Sequence, residues 1–154
     1  MTNFSPAIAT IRTAALSDLN ALSGLFNRYR VFYRQPDDQA SAQCFLEQRL
    51  QRRDSVVFVA EALDRLIGFA QLYPTFSSVS AKSAWILNDV FVDADQRQRG
   101  VASALLRQVL AYARDTGAAW VSLQTAPDNL AAQSLYQRFG FEQDRHYLTF
   151  THSL

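Results

Sequence analysis

The sequence predicts a mixed α/β (α+β) domain whose central sheet is mostly antiparallel with one parallel strand pair. Three observations carry this. The elements read in the order β-α-α-β-β-β-α-β-α-β. The strands in the middle are joined as hairpins, which makes them antiparallel. The stretch from Trp85 to Thr125 reads strand, helix, strand, and such a unit lays its two strands parallel. At 154 residues a single domain, 1–154, is expected. With 49% hydrophobic and 19% charged residues the chain is globular and can bury a core.

Ile8–Ala14 (IATIRTA) is the first strand. Ser17 and Asp18 are cap residues for a helix to about Tyr33, with Leu19, Leu22, Phe26, Tyr29 and Tyr33 on one face. Arg34–Asp38 breaks it, because Pro36 forces extended backbone before it. A second helix covers roughly Gln39–Arg52, with Phe45, Leu46 and Leu50 as its apolar positions. Cys44 within it reads as a small buried or half-buried apolar residue. Val56–Leu63 and Leu66–Phe76 are strands joined by a turn around Asp64, and Ser77–Lys82 is a small-residue loop. Trp85–Val92, rich in Ile, Val and Phe, is the next strand. After the turn Asp93–Gly100 comes a helix whose stripe is Val101, Leu105, Val109 and Tyr112, widened by Leu106, Leu110 and Ala113. Gly117 ends it. Trp120–Thr125 is a strand, Asn129–Phe139 the last helix with Gly140 as its cap, and about Arg145–His152 a final strand.

The turn before the long helix is the first chemical signal. A helix start exposes backbone N–H groups without partners, and with the positive end of the helix dipole these favour a phosphate or pyrophosphate. Arg97 and Arg99 add full charges, and Gly100 removes a side chain where an anion would approach. The plain alternative is a strand-to-helix connection whose arginines face water. No Gly-Lys-Ser/Thr follows, so this is not a Walker loop, and the Gly-x-Gly-x-x-Gly set of a dinucleotide site is absent.

Arg97-x-x-Gly100-x-Ala102, straight after the strand Ile86–Val92, resembles the acyl-CoA-binding motif of the GNAT N-acetyltransferases. A second segment carries the likeness independently. Asn129, Ala132, Tyr136, Gly140 and Phe141 match that family's Asn-x-x-Ala-x-x-x-Tyr-x-x-x-Gly-Phe pattern. The resemblance implies acetyl-CoA as co-substrate and no metal. Its pyrophosphate would lie on Arg97, Gln98, Arg99, Gly100, Val101, Ala102 and Ser103, and its pantetheine arm on Asn129 and Ala132. Tyr136 would act as general acid toward the leaving thiolate. Asn129 and Tyr136 stand about two helical turns apart on one face, roughly 10.5 Å along the axis. Read without the family, Asn129 is a helix cap and Tyr136 a packed aromatic. For the whole chain the resemblance implies helices on both faces of the sheet and a splayed parallel pair.

Tyr29–Tyr33, Gly68–Ser80 and Leu87–Val92 are similar to the polyamine acetyltransferase branch. That branch carries Glu-Asp in its central strand, where this chain has Asn88-Asp89. The implied reaction is attack of a neutral amine on a thioester. An alkyl amine has a pKa of about 10.4 and arrives protonated. Asp89 is the candidate base or amine-orienting group; its other reading is a residue that fixes a strand bulge. Alternation puts Asn88 and Asp89 on opposite faces unless a bulge intervenes. Splaying there would free the N–H groups of Val90, Phe91 and Val92 for the thioester carbonyl and pantetheine. Tyr29, Tyr33 and Tyr73, with Asn88, would line the amine pocket, or the tyrosines would simply pack.

The acceptor expected is a small-molecule amine. A protein or peptide amine and a non-catalytic acyl-CoA sensor are the competing readings. A net charge of +1 argues against nucleic acid. No apolar run of about 18 residues appears, so no membrane span is expected. One cysteine, no leader and two histidines, His146 and His152, give no disulfide, no export signal and no metal site. A cytoplasmic enzyme is expected, and the family likeness adds a homodimer.

Overall fold

The computed structural model describes residues 9–154. The chain divides into two compact units, one up to Leu123 and one from Gln124 to Leu154. The first unit holds a five-stranded sheet whose spatial order follows the sequence: β1 (Thr10–Thr13), β2 (Val56–Ala62), β3 (Arg65–Ser77), β4 (Lys82–Val92) and β5 (Val121–Ser122). Neighbours from β1 to β4 are antiparallel, and β4 and β5 are parallel. Three helices belong to this unit: α1 (Leu19–Phe32), α2 (Gln39–Arg52) and α3 (Val101–Asp115).

Strand alternation sorts the sheet into two apolar faces. Val57, Val59, Phe69 and Phe91 face α1 and α2, where they pack with Leu22, Leu25, Phe26, Ala42 and Leu46. The other face is covered by α3 through Val101, Leu105, Leu106, Val109 and Ala113. Tyr112 of α3 meets Phe58 at 5.5 Å and Trp85 at 5.3 Å between ring centroids. Helices therefore cover both faces, as expected. The β2–β3 turn places Leu63 and Asp64 at φ +51° and +55°, the left-handed pair that a tight hairpin requires.

Local chemistry departs from expectation at several points. Asp18 does not cap α1 with its side chain. Its carboxylate instead accepts from Arg12 at 2.8 Å and from the Ala15 N–H at 2.7 Å, within a short 3-10 turn at Leu16–Asp18. Asp38 caps α2, accepting the Ser41 N–H at 3.0 Å. Cys44 is exposed, because α2 turns Ala42 and Leu46 inward instead. The strand expected at Trp120–Thr125 contracts to Val121–Ser122. Ile8, expected in the first strand, lies outside the described residues.

The second unit contains α4 (Leu130–Arg138), after which Gly140 turns the chain at φ +83°. No strand forms over Arg145–His152. Tyr147, Leu148 and Phe150 are more than four-fifths exposed there. Alternation makes a strand only when a neighbouring strand supplies the ladder.

Candidate active site

A slip in register builds the centre of the site. Gln71 pairs with Asp89, but the next residue, Leu72, pairs with Leu87. Asn88 is the extra residue of a β-bulge. The bulge brings both polar residues to one corner. Asp89 is buried, 3% exposed, on the α1/α2 face, while exposed Asn88 donates its side-chain amide to Asp89 Oδ1 at 3.0 Å. Gln71 Nε2 donates to Asp89 Oδ2 at 2.7 Å. Ser55 Oγ donates to Gln71 Oε1 at 3.0 Å.

Aromatic rings close around this carboxylate. Burial first, then the charge of Asp89 and a hydrogen bond to it, hold the Tyr29 hydroxyl firmly protonated. Burial and the same charge push the Tyr73 hydroxyl up to about 12. Tyr33 joins through Tyr29, 4.9 Å away ring to ring, and is itself half exposed. The structure thus gathers Tyr29, Tyr73, Asn88 and Asp89, with Tyr33 at the outer edge.

Further along β4 the strand edge opens. The Asp93 N–H bonds the Ile67 carbonyl at 2.9 Å. Antiparallel alternation then turns the Phe91 and Asp89 amides toward β3, and the Val90 and Val92 amides to the opposite edge. That edge faces β5, which pairs only with Trp85 and Ile86. Of the three amides expected to serve a thioester, Val90 and Val92 point outward and Phe91 does not. Its side chain is part of the core.

The turn into α3 presents a separate row of donors. Gln98 and Gly100 hold φ +60° and +78°, and no side chain caps the helix. Ala104 is the first residue to find a carbonyl one turn behind it, Gly100 O at 3.0 Å. The amides of Val101, Ala102 and Ser103 have no such partner. A Cβ on Gly100 would meet nothing within 4 Å, so space lies open before the turn. These features fit a phosphate. Arg99 is exposed there. Arg97 is employed otherwise: its Nε donates to the Val92 carbonyl at 3.1 Å, and its guanidinium lies over Phe32 and Phe91, 5.5 and 5.6 Å from their centroids.

In the second unit, Asn129 Oδ1 accepts the Ala132 N–H at 3.2 Å and so caps α4. The cap uses the amide oxygen, and the NH2 group takes no part in that bond. Tyr136 is half-buried with its ring 5.9 Å from Phe141.

Residues 21–141 match the acetyltransferase (GNAT) family. The chain belongs to that family. It is accordingly an acyltransferase, and GNAT enzymes use acetyl-CoA as co-substrate. The uncharacterized N-acetyltransferase YhfO of Bacillus subtilis (strain 168) is 48% identical over 134 residues, 87% of this chain and 90% of that protein. A crystal structure of a probable acetyltransferase superposes with a TM-score of 0.90 at 41% identity, covering 94% and 97% of the two chains. An aminoglycoside acetyltransferase from an uncultured soil metagenomic sample, in complex with sisomicin, shares the fold at 18% identity and TM-score 0.81, covering 96% and 97%. Sequence reasoning missed Gln71 and Ser55 of this GNAT chain. The one signal was a lone glutamine inside an otherwise apolar strand.

Proposed function

We propose that this GNAT enzyme transfers an acetyl group from acetyl-CoA to a primary amine of a small molecule, by direct attack within a ternary complex. The observation that carries the reading is the buried Asp89 carboxylate, ringed by Tyr29 and Tyr73 and met, among the described residues, by the neutral donors Gln71, Asn88 and Tyr29. A buried carboxylate in such company attracts one ammonium group.

Asp54, which bears on Tyr73, and two other carboxylates of the first unit already have partners. Asp54 pairs with Arg49 at 2.9 Å, Asp93 with Arg28 at 2.8 Å, and Asp37 accepts from Asn27 at 2.6 Å. The Arg97 guanidinium on Phe32 and Phe91 would repel a second ammonium. This supports an acceptor with one cationic amine and an apolar body over a polyamine.

Acetyl-CoA supplies the activated acetyl thioester. Its pyrophosphate would be held by the amides of Val101, Ala102 and Ser103 with Arg99, and its carbonyl by the Val90 and Val92 amides. Asp89 accepts, directly or through water, the proton whose loss turns the bound ammonium into a neutral amine; the second proton, shed once the nitrogen bonds the acetyl carbon, restores Tyr136 after it has protonated the sulfur. Tyr136 gives a proton to the sulfur as the carbon–sulfur bond breaks; its place in the Asn129–Phe141 motif supports that role. Cys44, exposed on α2, accepts from the neutral amide of Gln48, which does not activate a thiol as a covalent carrier. The family match runs from 21 to 141, across the boundary at Leu123, which supports a single domain over 1–154. A cytoplasmic homodimer completes the reading, and sedimentation of the purified protein tests the dimer.

The deciding experiment follows thiol release from acetyl-CoA against aryl-alkyl monoamines, amino acids, aminoglycosides, polyamines and lysine peptides. Acceptor-dependent release with small monoamines is expected. Release only with peptides would move the acceptor to a protein, and silence across the panel would remove the small-molecule reading.

A further inference from the structure

Gln71 is fully buried within a run, Leu66–Leu72, that is buried throughout. An apolar side chain would fill this slot without desolvating an amide, so packing alone does not account for a glutamine. Its partners do. A carboxylate only accepts, so the amide must present its NH2 to Asp89 and its carbonyl to Ser55, whose hydroxyl then donates. The chain has one polarity, from Ser55 through Gln71 to Asp89. Gln71 and Asp89 are direct cross-strand partners, and the bulge at Asn88 begins immediately beside them.

We propose that Gln71, oriented by Ser55, is a positioning residue that aims the Asp89 carboxylate at the acceptor amine. The inference rests on the reading of Asp89 as the amine's partner. Other groups facing Asp89 are Tyr29 from α1, Tyr73 from β3 and the Asn88 amide; Arg49 and Asp54, at the end of α2, bear on Tyr73. Tyr29 holds its proton and amides do not titrate, so Tyr29, Gln71 and Asn88 are donors that stay constant across the working pH range. Removing one leaves a buried carboxylate with fewer donors, which favours the protonated acid. Putting a carboxyl in its place makes the two share a proton.

The test is the pH dependence of kcat in wild type, Gln71→Leu, Gln71→Glu and Ser55→Ala, with Asp89→Asn alongside and thermal melts of each. The acid limb of kcat should move upward by about one pH unit in Gln71→Leu and further in Gln71→Glu. Ser55→Ala should shift it the same way by less, and the KM for acetyl-CoA should hold. Should Gln71→Leu fail to fold, Ser55→Ala carries the test, since Ser55 is only half-buried in the α2–β2 connection. If Asp89→Asn loses turnover while the folded Gln71 and Ser55 variants keep the wild-type profile, the positioning role is wrong and Asp89 keeps its own. If Asp89→Asn keeps full turnover, the underlying reading of Asp89 falls as well.

Discussion

Gly68→Ala probes the seam between β3, β4 and α3. A Cβ on Gly68 would lie 2.9 Å from the Phe91 carbonyl oxygen, 3.3 Å from Val92 Cγ2 and 3.4 Å from Val101 Cγ1. The closest of these is backbone of the paired strand and cannot swing aside, so β4 or the start of α3 must move. Inserting a methyl into a packed interior costs about 1–3 kcal/mol. Alanine also loses less chain entropy on folding, which offsets about 0.4–1 kcal/mol. The clash wins, and a net loss of about 1–2 kcal/mol is expected. For a chain of this length that lowers Tm by about 2–8 °C. The displaced atoms belong to Phe91, Val92 and Val101, where β4 ends and α3 begins. The KM for acetyl-CoA should therefore rise along with the loss of stability. Thermal unfolding by circular dichroism and steady-state kinetics read the two effects. An unchanged Tm with an unchanged KM would refute the reasoning, since β4 would then have slack that the contacts deny.

The Arg12 guanidinium holds the Asp18 carboxyl below its usual range, so this contact stabilises above the ordinary carboxylate pKa and fades as pH falls through the lowered value. Asp18→Asn should be less stable than wild type at neutral pH in urea melts, with the gap closing in acid; a gap independent of pH would contradict it. Arg99→Ala should weaken acetyl-CoA binding about tenfold by calorimetry, the worth of one charge-assisted hydrogen bond, with Tm unchanged. Arg97→Ala should lower Tm as well, because its side chain ties Val92, Phe32 and Phe91 together. Tyr136→Phe should cut kcat about a hundredfold with acetyl-CoA affinity kept; equal turnover would remove Tyr136 from the proton-transfer role.

The periodic elements were legible because their signals are local. The bounds of α2 follow from Asp38, a cap residue, and the break at Pro36. Gly117 and Gly140 mark helix ends by their left-handed backbone. What the sequence hid depends on partners distant in the chain. Leu148 and Phe150 alternate with Thr149 and Thr151 but have no ladder. Asp18 reads as a cap until Arg12 is found beside it, and Arg97 reads as a phosphate ligand until Phe32 and Val92 claim its guanidinium. Likeness to one branch of the family made Asp89 a candidate base, with a residue that fixes a strand bulge as its other reading. Only the register slip shows how a single extra residue, Asn88, gathers Asp89, Gln71 and Tyr29 at one corner.

The short β5 also has a kinetic meaning. β3 and β4 share ten residue pairs in the ladder, whereas β4 and β5 share two. The connection from Val92 to Val121 is held on the sheet by α3, so β5 itself rests on those two pairs and on the Ala119–Ser83 and Trp85–Trp120 backbone bonds. This edge should form last during folding and fray first in the native state. In hydrogen exchange, the amides of Val121 and Ser122 would lose protection well before those of β3. The outward amides of Val90 and Val92 lie on the same edge of β4, beyond the reach of that short ladder.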